Sequence, residues 1–154
     1  MHVLYGHDPM VAIWVAHQIP QGGVFPTFGG GPVAVGLVND GELVGGVVWH
    51  SYSASQRRIE VSGATTTTRG LTPAIISEVM RYPFGQLKVR RVSAEIPVSR
   101  PEAAKFLERL GFRQEGLIRE GAGDEDLTLW GILAPEWEAS RFYRPRQVAA
   151  GLET

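Results

Sequence analysis

The chain has 154 residues, 44% of them apolar, which is enough to bury the core of one globular domain. Its 15 basic and 16 acidic residues leave a formal charge of -1, so no global field favours nucleic acid or an anionic membrane as a partner. With no cysteine, disulfide scaffolds, thiolate metal sites and a cysteine nucleophile are excluded. The start "MHVLYGHDPM" has no basic region followed by an apolar run, and no apolar stretch nears the roughly 20 residues that span a bilayer, so a soluble, cytoplasmic protein is expected.

Asp8 followed by Pro9 reads as an N-cap and first helical position. Met10, Ile13, Trp14 and His17 then recur at helical spacing, and the helix is expected to stop before Pro20. "QGGVFPTFGGGP" has no period and reads as a loop or broken helix that either covers a ligand or simply connects. In "VAVGLVNDGELVGGVVWHSY", Asn39-Asp40-Gly41 separates two strand-like runs, a strong hairpin signal. "RRIEVSGA" adds a strand, so residues 32 to 64 predict a three-stranded antiparallel meander.

Four threonines lead into Arg69-Gly70, and Pro73 then opens a helix with Leu71, Ile75, Ile76, Val79 and Met80 on one broad stripe. That helix is expected to end near Tyr82-Pro83. "RRVSAEI" is a strand of alternating character. Ser99-Arg100-Pro101-Glu102 reads as a capping box before a helix that buries Ala103, Phe106, Leu107 and Leu110 and stops at Gly111. "FRQEGLIRE" and "DLTLWGIL" predict two final strands joined through "GAGDE". The expected fold class is α/β of the α+β type: a mixed, mostly antiparallel sheet of about six to seven strands with helices on both faces. Beyond residue 134 the pattern ends, and residues 135 to 154 read as a helical or disordered tail. There Arg141, Arg144 and Arg146 interleave with Phe142 and Tyr143, which gives either a frayed end or an element for docking in a homo-oligomer or larger assembly.

The meander, the Arg-Gly turn entering a helix, the further strand and "AAKFLERLGFRQEG" together resemble the GNAT acyl-CoA N-acyltransferase superfamily over residues 1 to 134. The resemblance implies that the fourth strand splays from the fifth and that acetyl-CoA is the cosubstrate. Its pantetheine arm would pair with the exposed backbone of the fourth strand, at Val61, Ser62 and Gly63. Its pyrophosphate would lie on a Q/R-x-x-G-x-G/A loop whose N–H groups and helix dipole bind negative charge. Arg69-Gly70-Leu71-Thr72-Pro73-Ala74 matches that loop, with Thr72 where Gly is usual and Pro73 lacking an N–H. Gly70, Leu71, Thr72 and Ala74 carry donors, and Thr72 also suits an N-cap.

Amide formation requires an acceptor amine that has lost its proton, hence a base. By the resemblance Glu60 occupies the place of that base, and its side chain lies on the opposite face from Ile59 and Val61. Independently, a tight hairpin centred near Ser55 makes residues summing to about 110 face each other, which sets His50 across from Glu60. The pair is either a proton relay or an exposed polar pair. The family's tyrosine acid falls on Leu107, so that acid is absent, and Tyr52 is the one substitute in view. The family's helix-opening asparagine falls on Arg100, a candidate contact for a CoA phosphate. The histidines at 2, 7, 17 and 50 show no metal-like spacing, and Asp124, Glu125 and Asp126 read as a solvated turn. A P-loop and a nucleophile elbow are missing.

The implied function is acetyl-CoA-dependent N-acylation of a primary amine on a small molecule, a peptide terminus or a lysine. The other class consistent with Thr72, Pro73 and Leu107 is a catalytically inactive GNAT-fold binding or structural protein, such as a docking component of a phage particle.

Overall fold

The computed structural model describes residues 1–19 and 31–145; the aromatic-rich loop predicted at 21 to 32 lies almost wholly outside them. The elements in chain order are β1 His2–Leu4, α1 Asp8–Gln18, β2 Val33–Asn39, β3 Glu42–Ser53, β4 Arg58–Thr65, α2 Pro73–Arg81 and a π-helical turn Tyr82–Gln86. They continue with β5 Arg91–Pro97, α3 Pro101–Leu110, β6 Arg113–Ala122, β7 Glu125–Leu133 and α4 Ala134–Glu138. Seven strands form one sheet in the order β1-β2-β3-β4-β5-β7-β6, the predicted mixed, mostly antiparallel arrangement. No helix among the described residues is long and apolar enough to cross a membrane.

The meander forms as expected. Asp40 and Gly41 both take positive φ, 50° and 79°, the left-handed pair that a two-residue hairpin turn needs. Among the described strands β4 and β5 form the one parallel pair. Strand β4 runs beside β5 only at Arg58–Arg91, Ile59–Val92 and Glu60–Ser93. Beyond Glu60, β4 follows β3 as far as Gly45–Thr65, whereas β5 stays with β7 along its whole length. Each strand keeps its antiparallel partner, and the intrinsically weaker parallel pairing is the one that opens.

Strand alternation divides the core into two faces. Val48 and Ala34 lie under α1 with Val11, Ala12 and Val15. On the other face Trp49, Ile59, Val92 and Ile132 meet Ile76 and Met80 of α2 and Leu107 and Leu110 of α3. Two expectations change at helix starts. His7 precedes the first helical turn and Asp8 lies within it, and Met10 and Ile13 face outward at 48% and 61% exposure. The inward stripe is Val11 and Val15 because glycines make room for them: a Cβ on Gly46 would stand 2.7 Å from Val15 and 2.8 Å from Val11. Before α3 no capping box forms. The Ser99 N–H and hydroxyl both bind the Glu125 carboxylate, at 2.9 and 3.0 Å, and Arg100 is the capping position without a side-chain bond. Gly111 stops α3 in the left-handed conformation, φ 105°.

The described part of the C-terminal segment is built into the core rather than frayed. Trp137 is buried, stacks on Phe84 with centroids 6.3 Å apart and meets Tyr143 edge-on at 6.0 Å. Phe142 is also buried, and the Arg144 N–H donates to the hydroxyl of buried Ser77 at 3.0 Å.

Candidate active site at the opening of the parallel strands

Glu60 is the last β4 residue paired with β5, so its carboxyl stands where the two strands part. The register sets His50 directly opposite Glu60, and their Nδ1 and Oε2 atoms lie 3.7 Å apart. His50 Nε2 is 2.9 Å from the Ser62 hydroxyl and Nδ1 is 3.1 Å from that of Ser51, so one ring nitrogen donates while the other accepts. Burial lowers the His50 pKa below its ordinary value, against an opposing pull from the Glu95 carboxylate. The imidazole is therefore neutral at neutral pH and able to accept a proton.

Glu95 is the residue that sequence reasoning missed. It lies on β5 two positions past Ser93, hence on the same face as Ser93 and its partner Glu60. The residue is exposed to solvent, yet its pKa is raised, by partial burial of the carboxyl first and then by the charge of Glu60, with His50 opposing. The signal available in "RRVSAEI" was only a polar residue in an alternating strand. Its relation to Glu60 requires the parallel register, which no local pattern encodes.

From Val61 to Thr65, β4 has β3 on one side and no ladder to β5 on the other, so among the described residues the edge through Val61, Ser62 and Gly63 carries no strand partner. That edge leads into the threonine run, whose hydroxyls build the turn. The Thr65 and Thr66 hydroxyls donate to the Val44 carbonyl at 3.0 and 3.2 Å, and the Arg69 N–H donates to the Thr67 hydroxyl at 3.0 Å. Asn39 ties the β2–β3 hairpin to the turn by donating to the Arg69 carbonyl at 2.9 Å. Gly70, at φ 84°, lets the chain turn into α2.

Thr72 is the N-cap of α2, its hydroxyl accepting the Ile75 N–H at 3.3 Å. The Leu71 N–H is also engaged, donating to the Thr68 carbonyl at 3.0 Å. Among the described residues, no hydrogen bond is made by the N–H groups of Gly70, Thr72 and Ala74, which lie at the start of α2. Arg69 is exposed beside them. Arg100 is farther along the chain at the start of α3, 3.7 Å from Glu102.

Leu107 is buried in the core, so its helix offers no acid at that position. Tyr52 is half exposed, past a bulge where Ser51 takes φ 57°. It borders a pocket of about 360 Å3 together with Val33, Trp49, His50, Ile59 and Tyr82. The buried Trp49 indole N–H has no acceptor among the described residues.

With this geometry in hand, likeness to known proteins can be placed. No protein-family model matches the chain. A Bacillus subtilis (strain 168) protein named "Putative ribosomal N-acetyltransferase YdaF" is 27% identical over 116 residues, covering 71% of this chain and 63% of that protein. A solved structure described as a probable acetyltransferase is 26% identical with a TM-score of 0.58, over 69% of this chain and 64% of that one. In both cases the chain spans less than two thirds of the relative's length.

At lower identity the likeness is one of fold. A mutant form of spermidine N-acetyltransferase SpeG from Vibrio cholerae aligns over 89% of this chain and 97% of its own, with a TM-score of 0.71 at 14% identity. Spermidine N-acetyltransferase from the same organism, in complex with CoA and spermine, gives 0.62 at 19% identity over 69% of this chain and 68% of its own. The fold is that of the GNAT acetyltransferases. Together, fold and sequence likeness support the GNAT superfamily for this chain.

Proposed function

We propose that this protein is an acetyl-CoA-dependent N-acyltransferase acting on a primary amine. The observation that carries the reading is the opening of β4 from β5 at Glu60, with the open β4 edge leading straight to the donor-bearing turn at 69 to 74. In this reading Val61, Ser62 and Gly63 offer backbone groups to the pantetheine arm. Gly70, Thr72 and Ala74 offer N–H groups to the pyrophosphate, assisted by the α2 dipole and by Arg69. Leu71, its N–H already bonded, frames the turn, and Arg100 supplies a cation to a CoA phosphate. The neighbour that is solved with CoA supports the cosubstrate.

Glu60 acts as the base toward the acceptor nitrogen, and neutral His50 beside it extends the path by which the proton leaves. The acceptor is a cation at neutral pH, which the Glu60 and Glu95 carboxylates attract. Relatives named as ribosomal and spermidine N-acetyltransferases favour an amine acceptor. No observation favours the alternative of a retired binding or structural protein.

Calorimetric titration with acetyl-CoA tests the reading first, and absence of binding at millimolar cosubstrate would sink it. Thiol release is then measured with spermidine, a lysine peptide and a peptide with a free N-terminus. Glu60→Gln is expected to lower turnover about 10²-fold while leaving acetyl-CoA affinity intact. Unchanged turnover would remove Glu60 as the base.

A further inference from the structure

Converting an ammonium into an amide takes two protons from the acceptor nitrogen, and only one of them ends on the thiol of CoA. A single carboxylate at the strand opening would have to handle both. The fold places two there, Glu60 at the end of the parallel register and Glu95 two residues past its partner Ser93 on the neighbouring strand, hence on the same face.

We propose that Glu95 takes the proton of the arriving acceptor ammonium, while Glu60 removes the second nitrogen proton as the new C–N bond forms. This rests on the N-acyltransferase reading above. In the first step the N–H bond of the ammonium breaks and the proton passes to the Glu95 carboxylate, leaving a free amine. The amine lone pair then attacks the thioester carbonyl carbon. As the C–N bond forms, Glu60 accepts the second proton; the tetrahedral adduct then collapses, the C–S bond breaks with its electron pair going to sulfur, and that proton goes on to the thiolate. Glu95 afterwards returns its proton to solvent.

The surroundings of Glu95 suit this division. The titratable groups that face it across the sheet are Glu60 on β4 and His50 on β3, its β7 partner is the apolar Leu129, and Arg91 on its own strand is held bidentately by Glu115 at 2.6 and 3.2 Å. Among the described residues no cation is paired with Glu95, while burial first and Glu60 second make its proton affinity higher than that of an ordinary carboxylate. A carboxylate of higher proton affinity, at a site of net negative charge, is the better acceptor for the ammonium proton.

Two measurements on the full-length protein test the assignment. Carbon-detected NMR titration of the glutamate carboxyls is expected to show one group titrating above the ordinary range. That signal should vanish in Glu95→Gln and move down in Glu60→Gln, and absence of such a coupled group overturns the proposal. With the amine that supports thiol release, Glu95→Gln is expected to lose about 10²-fold in kcat/KM near neutral pH. It should regain activity as pH rises toward the amine's own pKa, where solution supplies the free base, whereas Glu60→Gln should not. Wild-type kcat/KM and pH profile in Glu95→Gln, or a loss that persists undiminished at high pH, refutes the role of Glu95 and leaves the acyltransferase reading standing. A wild-type protein that acetylates none of the amines refutes that reading itself, and the proposal falls with it before any variant is made.

Discussion

Replacing Thr72 with alanine tests the way the α2 N-terminus divides its donors between its own cap and a bound phosphate. The Thr72 hydroxyl accepts the Ile75 N–H at 3.3 Å, longer than the usual 2.7–3.2 Å for such bonds. The cost of losing this cap therefore belongs near the lower end of the usual range, about 0.5–1 kcal/mol. For a chain of this size that lowers Tm by about 1–4 °C. The same change releases the Ile75 N–H, adding a fourth donor to those of Gly70, Thr72 and Ala74. One more charge-assisted bond to the pyrophosphate is worth up to about 1.5 kcal/mol, so acetyl-CoA should bind up to about tenfold more tightly. Scanning calorimetry without ligand and isothermal titration with acetyl-CoA read the two effects separately, and the Tm deficit should shrink at saturating ligand. A Tm unchanged in the free protein would show that the hydroxyl caps nothing of consequence. A tenfold weaker affinity would show that it serves the phosphate directly, and the reasoning would fail.

Trp137→Ala should destabilise the protein by about 3–5 kcal/mol, read by denaturant titration, because the indole is buried against Phe84 and Tyr143; a change under 1 kcal/mol would place the segment outside the core. Glu95 carries a folded-state pKa raised from 4.5 by burial first and Glu60 second, so the folded protein holds its proton after the unfolded chain has released it. Its contribution to stability is thus fully present below pH 4.5 and is lost as pH rises through the raised value. Glu95→Gln should accordingly raise Tm at neutral pH but not in acid, and a neutral-pH Tm equal to or below wild type would contradict the burial argument.

Local rules carried the reading of the sequence a long way. Asp40-Gly41 marked the first hairpin, Pro73 and Pro101 marked helix starts, and hairpin arithmetic alone set His50 opposite Glu60, as the register has it. Each of these signals acts between residues close in sequence or across one tight turn. The inward face of α1 was not legible in the same way, because both Met10/Ile13 and Val11/Val15 are apolar at helical spacing. The choice belongs to Gly46, where the sheet lacks a Cβ under the helix. The docked end likewise depends on partners far upstream, Phe84 for Trp137 and Ser77 for Arg144.

The sequence by itself thus determined the succession of elements, the antiparallel meander and the facing of His50 and Glu60, since turn chemistry and period-two alternation are properties of short segments, while Glu60 as a candidate base and the turn at Arg69 as a candidate phosphate site came from the family resemblance. Only the tertiary structure decided where the parallel pairing of β4 and β5 ends, and with it that Glu95 joins Glu60 at one opening. Parallel strands are joined through a long crossover, here α2 and its π-helical extension, so their register is set by how that crossover packs on the sheet rather than by any residue pattern within the strands.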